Sequence, residues 1–138
     1  MKYILLILIL LLLPIVHAST HTEIREKGQE LGTIENIDDY LQETNIYQFL
    51  YYRKGLNRYW EDRIGDCTEI ARTKYIMYRS IGIKSKIVHG CVMRQKESQR
   101  RATCSKHDYV EYYLNNSWQS NEQELFRDIL IKKGRGIW

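Results

Sequence analysis

Apolar residues recur at helical spacing through the first half of the chain and alternate with polar ones through the second. Thr22 to Leu31 forms a weakly amphipathic segment that Gly32 closes, and Thr33 is placed to cap a second segment carrying Ile34, Ile37 and Leu41 on one side. Ile46, Phe49 and Leu50 mark a third helix, ending near Gly55. After Gly65-Asp66-Cys67-Thr68-Glu69, the residues Ile70, Met77 and Ile81 repeat at helical intervals beside Ala71, Tyr75 and Tyr78, and Gly82 supplies a stop. The period then changes. Lys84 to Val92 alternates around β-branched Ile87 and Val88, and Asp108 to Leu114 continues with Tyr109, Val110, Tyr112 and Tyr113. Asn115-Asn116 is a turn signal that lets Ser117 to Asn121 complete a hairpin. Glu122 to Lys133, with acids first, lysines last and Gly134 behind, predicts a closing C-terminal helix. Helices, then a small antiparallel sheet, then a last helix describe an α+β domain with segregated elements.

The amino terminus stands apart. Lys2 precedes an apolar run from Ile4 to Val16, broken only by Pro14, and Val16-His17-Ala18 offers small residues for a signal peptidase. A spanning helix needs about 20 apolar residues, so the run is short for one. Residues 1–18 are read as a signal peptide and 19–138 as the mature domain, secreted or held in the cell envelope. An uncleaved membrane anchor is the alternative.

Composition narrows the partners. The chain of 138 residues fits one domain with a modest core, and a hydrophobic content of 43% with 28% charged residues is that of an ordinary globular protein. A net charge of +4 allows weak attraction to anionic surfaces. It forms no dense basic stripe, so nucleic acid is not an expected partner. Repeats and Pro- or Ser-rich linkers are absent from the sequence.

Export changes how the cysteines are read. The chain carries 3, namely Cys67, Cys91 and Cys104, and an odd count outside the cell leaves one thiol over unless chains pair. A Cys91 to Cys104 disulfide would close the polar loop between two strands and contribute roughly 3 kcal/mol on the chain-entropy model. Cys67 would then be the free thiol. A zinc site using Cys104 and His107 with Cys67 or Cys91 is the rival reading, but the paired spacings that mark such sites are missing. No cofactor and no resident metal are expected.

Cys67 opens a helix. Unpaired N–H groups and the positive end of the helix dipole favour an anion there, which suits a nucleophilic thiolate. Asp66 is a good N-cap, whereas Glu69 adds first-turn negative charge that opposes a thiolate. A buried structural cysteine would fit the same local sequence. His107 opens a strand that can lie beside this helix, and a histidine is suited to take and return the proton of such a nucleophile. A satisfied core histidine is the plain alternative, and His89 is a competing candidate that reads as structural. The aromatic cluster Tyr47, Tyr51, Tyr52, Tyr59 and Trp60 reads mainly as core or half-buried packing, with a substrate groove as the other option.

Gly65-Asp66-Cys67-Thr68-Glu69-Ile70-Ala71 followed by Ser80-Ile81-Gly82-Ile83-Lys84-Ser85-Lys86-Ile87-Val88-His89-Gly90 resembles the core of transglutaminase-like cysteine enzymes. The family pattern there runs Gly-Asp/Asn-Cys, helix, Leu-Gly-Ile-Pro-Ala-Arg, strand, Gly. His107-Asp108-Tyr109-Val110-Glu111-Tyr112-Tyr113-Leu114, with Asn115-Asn116-Ser117-Trp118, resembles the family's His-Ala-Trp-Val-Glu-Val-Tyr-Leu, turn, Trp. The match covers about residues 60–122. It implies a papain-like fold in which Cys67 attacks an amide carbonyl and His107 serves as base. It also implies a peptide, protein or cell-wall peptide substrate, with the backbone N–H of Cys67 and an upstream donor, Trp60 or Tyr59, holding the oxyanion. The family's aspartate, four residues after the tryptophan, is here Glu122, so Glu122 is expected to orient His107, with Asn121 as the alternative. Lys86 stands where the family often has arginine. The approach from Tyr47 to Trp60 is similar to that of the pseudomurein endoisopeptidases of methanogens, which adds a wall isopeptide to the candidate substrates. A protein-glutamine amine transferase, or an inactive secreted binding module, would share these features.

Overall fold

A computed structural model describes residues 19–50, 52–94, 103–121 and 130–137. The signal-like run, Glu122 and most of the polar loop between the later strands lie outside them. Among the described residues no helix is long and apolar enough to cross a membrane.

Among the described residues, three helices precede the one that carries Cys67. Helix α1 spans Thr20–Leu31, with Ser19 as its N-cap and Gly32 (φ 75°) as its left-handed stop. Helix α2 spans Ile34–Thr44, and the Thr33 hydroxyl accepts the N–H of Asn36 as expected of a cap. The third segment departs from the sequence expectation. Ile46–Tyr47 is a short strand, β1, and helix α3 (Leu56–Asp62) begins at Gly55 instead of ending there. Strand β2 (Ile64–Gly65) pairs in parallel with β1, Ile46 to Ile64 and Tyr47 to Gly65. The backbone partner that β2 provides is remote in sequence, so nothing local in Ile46, Phe49 and Leu50 announces it.

Helix α4 (Cys67–Ser80) is the centre of the domain. Ile24 of α1, Ile37 and Leu41 of α2, Met77 and Tyr78 of α4, and Val110 and Tyr112 of the sheet form one buried cluster. The Tyr78 and Tyr112 rings meet edge to face at 5.6 Å. Helix α1 lies very close to α4. A Cβ at Gly28 would fall 2.5 Å from Ser80 Oγ and 2.8 Å from Met77 Cα, so only glycine permits this crossing.

Among the described residues the main sheet has four strands, β3 (Ser85–Arg94), β4 (Thr103–Leu114), β5 (Ser117–Gln119) and β6 (Leu130–Ile137), in the order β5-β4-β3-β6 and each antiparallel to its neighbours. The β4–β5 turn is Asn115-Asn116, both at positive φ (50° and 61°), the backbone that a two-residue hairpin requires. Strand β6 corrects the closing helix in part. Residues 122–129 lie outside the description, but Leu130–Ile137 is extended and pairs with β3. Cross-strand bonding to a distant partner overrides the acid-first, lysine-last pattern that suggested a helix.

Three residues from neighbouring strands lock the sheet. Lys86 of β3 faces Glu111 of β4 in the ladder, with Nζ 3.1 Å from Oε2, and Glu111 is almost wholly buried. The same ammonium lies 3.9 Å from the centre of the Trp118 ring on β5. Lysine thus supplies here the cation for which the family pattern often has arginine.

Candidate active site

The turn into α4 is built by reciprocal capping. Asp66 Oδ1 accepts the N–H of Thr68 at 2.9 Å, and Glu69 Oε2 accepts the N–H of Asp66 at 3.3 Å. Gly65 sits against the buried Tyr59 ring, where a Cβ would come within 2.6 Å of Cδ2. These contacts fix where the first helical residue points. Cys67 is half-buried and is a free thiol. As the first residue of a helix its N–H has no intrahelical acceptor, so it is available to a ligand.

Glu69 is buried, and burial, aided by its contact with Asp66, pushes its carboxyl above the usual range.

Cys67 opens onto a cavity of about 690 Å³ that His107, Asp108, Asn121, Lys74 and Tyr47 also line. Two sequence-expected residues, a cysteine and a histidine forty positions apart, thus share one chamber. His107 is buried in the middle of the β3–β4 ladder, opposite Gly90, and stacks on Tyr109, with ring centres 6.2 Å apart. The alternate residues Asp108, Val110 and Tyr112 meet α4.

Asp108 is the residue that sequence reasoning missed. Its Oδ2 accepts the Thr68 hydroxyl at 2.8 Å, and its Oδ1 is hydrogen-bonded to His89 Nδ1. The signal was an aspartate where the family pattern has alanine. His89 thus bonds to Asp108 and lines a separate, smaller cavity, outside the chamber that holds Cys67.

Asn121 lines the chamber but has another duty. Its Oδ1 accepts the Tyr112 hydroxyl at 2.7 Å, and its Nδ2 donates to Asp38 Oδ2. Asp38 also accepts the Tyr78 hydroxyl at 2.7 Å and pairs with Lys74 at 2.9 Å. Glu122 lies outside the described residues. Trp60 Nε1 donates to Glu23 at 3.0 Å, the Arg63 guanidinium covers the ring at 3.3 Å, and the residue is not part of the chamber wall. Tyr59 is fully buried, with its hydroxyl donated to Asn45. Of the aromatic cluster, Tyr47 and Tyr52 are exposed beside Ile46 and Phe49, so only part of it packs inside.

The ladder sets Cys91 opposite Lys106 and Cys104 opposite Met93. The two cysteines therefore stand at diagonal register positions of the β3–β4 ladder.

Comparison with known proteins agrees with this architecture. The family model for the transglutaminase-like superfamily matches residues 18–122, and the chain belongs to that superfamily. Its mixed helix and sheet is that family's fold. Among solved structures it is similar to a protein of Cytophaga hutchinsonii described as a candidate cysteine protease, with a TM-score of 0.61 at 12% identity, over 83% of this chain and 42% of that one. It is also similar to the periplasmic domain of TgpA from Pseudomonas aeruginosa, bound to ethylmercury, with a TM-score of 0.57 at 20% identity over 76% and 44% of the two chains. A candidate protease from Parabacteroides distasonis aligns with a TM-score of 0.54 at 15% identity, over 70% of this chain and 22% of that one. The chain thus spans less than half the length of these neighbours. No match is found among curated proteins.

Proposed function

We propose that this protein is a cysteine hydrolase of the transglutaminase-like type, acting on a peptide or isopeptide amide with Cys67 as nucleophile and His107 as general base. The observation that carries the reading is the shared chamber, in which a free thiol at a helix start and a buried histidine on a strand line the same walls. Family membership and neighbours described as candidate proteases support thiol chemistry in general.

In the proposed cycle His107 takes the thiol proton and Cys67 Sγ attacks the amide carbon. The carbonyl oxygen becomes an anion, held by the backbone N–H of Cys67. The C–N bond then breaks, the leaving nitrogen takes the proton from the imidazolium, and a thioester remains. Water enters, gives a proton to His107 and attacks the thioester. The C–S bond breaks, Cys67 Sγ takes back the proton from His107, and the carboxylic acid leaves. Glu122 is proposed to orient the imidazole, with Asn121, whose amide also bonds Tyr112 and Asp38, as the alternative. Resolution of the thioester by an amine would make the enzyme a transferase. The exposed Ile46, Tyr47, Phe49 and Tyr52 beside the chamber suit an extended peptide and favour neither outcome.

Secretion or retention in the envelope, with residues 1–18 as the signal, belongs to the same proposal. The periplasmic neighbour supports it. A Cys91 to Cys104 bridge is part of the proposal and would leave Cys67 as the free thiol.

The test is alkylation of the purified mature protein by iodoacetamide across pH, with Cys67→Ala as control. Cys67 is expected to react faster than free cysteine at neutral pH, and hydrolysis of peptide or wall substrates to vanish in the variant. Ordinary reactivity together with unchanged hydrolysis would sink the enzyme reading. Mass mapping without reductant checks the bridge: a disulfide that includes Cys67 would overturn both parts.

A further inference from the structure

Behind the first turn of α4, on the far side of Asp108 from the chamber, lies a second cavity of about 270 Å³. Arg53, Arg72, Tyr75, His89, Thr68 and Asp108 line it. Thr68 and Arg72 are four apart on α4 and therefore lie on one helix face. The Asp108 carboxylate, the acid in this wall, is occupied by the Thr68 hydroxyl and His89. Neither guanidinium has a hydrogen bond or ion pair among the described residues. Two unpaired guanidinium groups thus face a pocket whose carboxylate is already engaged.

The chamber at Cys67 has the opposite character. Glu35, Asp38, Asp39 and Asp108 line it against Lys74. Asp108 belongs to both walls, so the two cavities adjoin along a strong gradient of charge.

We propose that the smaller cavity is a carboxylate subsite, taking a free carboxylate of the peptide whose amide lies at Cys67. This rests on the peptide-hydrolase reading above. A guanidinium binds a carboxylate through two parallel N–H donors, and the half-buried position of Arg72 shields that contact from solvent. The acidic chamber repels the same carboxylate, so a substrate with one charged end enters in one orientation. Phosphate would satisfy the same donors, but the ligand of a peptide-cleaving site carries carboxylates.

The probes are N-acetyl-dialanine, its C-terminal amide, and inorganic phosphate, titrated into the mature protein while the Arg side-chain N–H and Thr68 amide resonances are followed by NMR. The free acid is expected to shift both signals saturably, and the amide to leave them in place. Arg72→Gln should raise the dissociation constant at least fivefold, with Arg53→Gln as a second variant should the first not fold. Arg58→Gln, an exposed position on α3 outside the cavity, should leave it unchanged. Equal responses to acid and amide, or equal weakening by Arg72→Gln and Arg58→Gln, would overturn the subsite. Phosphate binding tenfold tighter than the acid would replace it with a phosphate site. Binding is read without turnover, so an unreactive Cys67 would refute the hydrolase and leave this result standing.

Discussion

The Thr68 hydroxyl donates to Asp108 across 2.8 Å, joining the residue after the candidate nucleophile to the residue after the candidate base. Helix and strand are thereby tied at the point where their chemistry must meet. Thr68→Val keeps the shape and removes the donor. A hydrogen bond to a charged group is worth about 1.5–3 kcal/mol, so a loss of that order in chemical unfolding is expected, with slower Cys67 alkylation. Thr68→Ser should retain both. Equal behaviour of the valine and serine variants would show that the tie is incidental.

Gly65 leaves no room for a side chain. An added Cβ would stand 2.6 Å from Tyr59 Cδ2 and 3.0 Å from Glu69 Cβ, and the Tyr59 ring is fully buried. Gly65→Ala is therefore expected to cost about 1–3 kcal/mol, the usual range for overpacking. Because β2 leads directly into the capping turn, alkylation of Cys67 should change with it. Thermal melting and alkylation rates measured on the same sample decide whether packing and reactivity are coupled.

Lys86 and Glu111 form a pair that cannot be half removed. Lys86→Met leaves the buried carboxylate without this cation and should destabilise the fold by about 3 kcal/mol, whereas Lys86→Arg should be close to neutral. A melt showing no loss for the methionine variant would mean that the other surroundings of Glu111 suffice.

Stability should depend on pH through Glu69. Its folded carboxyl titrates above the ordinary value of 4.5, chiefly because burial disfavours the charge. The neutral form is the one that folding favours. Its contribution is thus complete below about pH 4.5 and declines as pH rises through the raised folded value. Asp62 acts in the opposite sense. Its hydrogen bond from Lys54 lowers its carboxyl, so its smaller contribution is present above pH 3.8 and lost as pH falls through the lowered value. Glu69→Gln keeps an acceptor for the Asp66 N–H and should flatten the upper limb in melts recorded from pH 4 to 8. An unchanged profile would refute the assignment.

The nucleophile turn was legible because its signals are local: Asp66 and Glu69 cap within one helical turn, and Gly82 stops the same helix. Thr33, Gly32 and the Asn115-Asn116 turn are readable for the same reason. Strands β1, β2 and β6 depend on partners far along the chain, so Ile46 and Leu130 carried no local mark of their pairing. The family pattern brought His107 to the chamber. The roles of Asp108, Asp38 and Asn121 escaped because each is defined by a hydrogen bond to another element. The Trp60 N–H is likewise taken by Glu23 of α1, a partner thirty-seven positions away.

Asp38 joins α2 to Tyr78 and Lys74 of α4 and to Asn121 beyond β5, so one side of the chamber is cross-braced by three side chains. The facing side, at Tyr47, hangs on the two-residue pairing of β1 with β2 and presents exposed Ile46, Phe49 and Tyr52. The chamber therefore has one wall tied together by side chains of three segments and another carried by a two-residue strand pair, so a substitution at Asp38 loosens several elements at once.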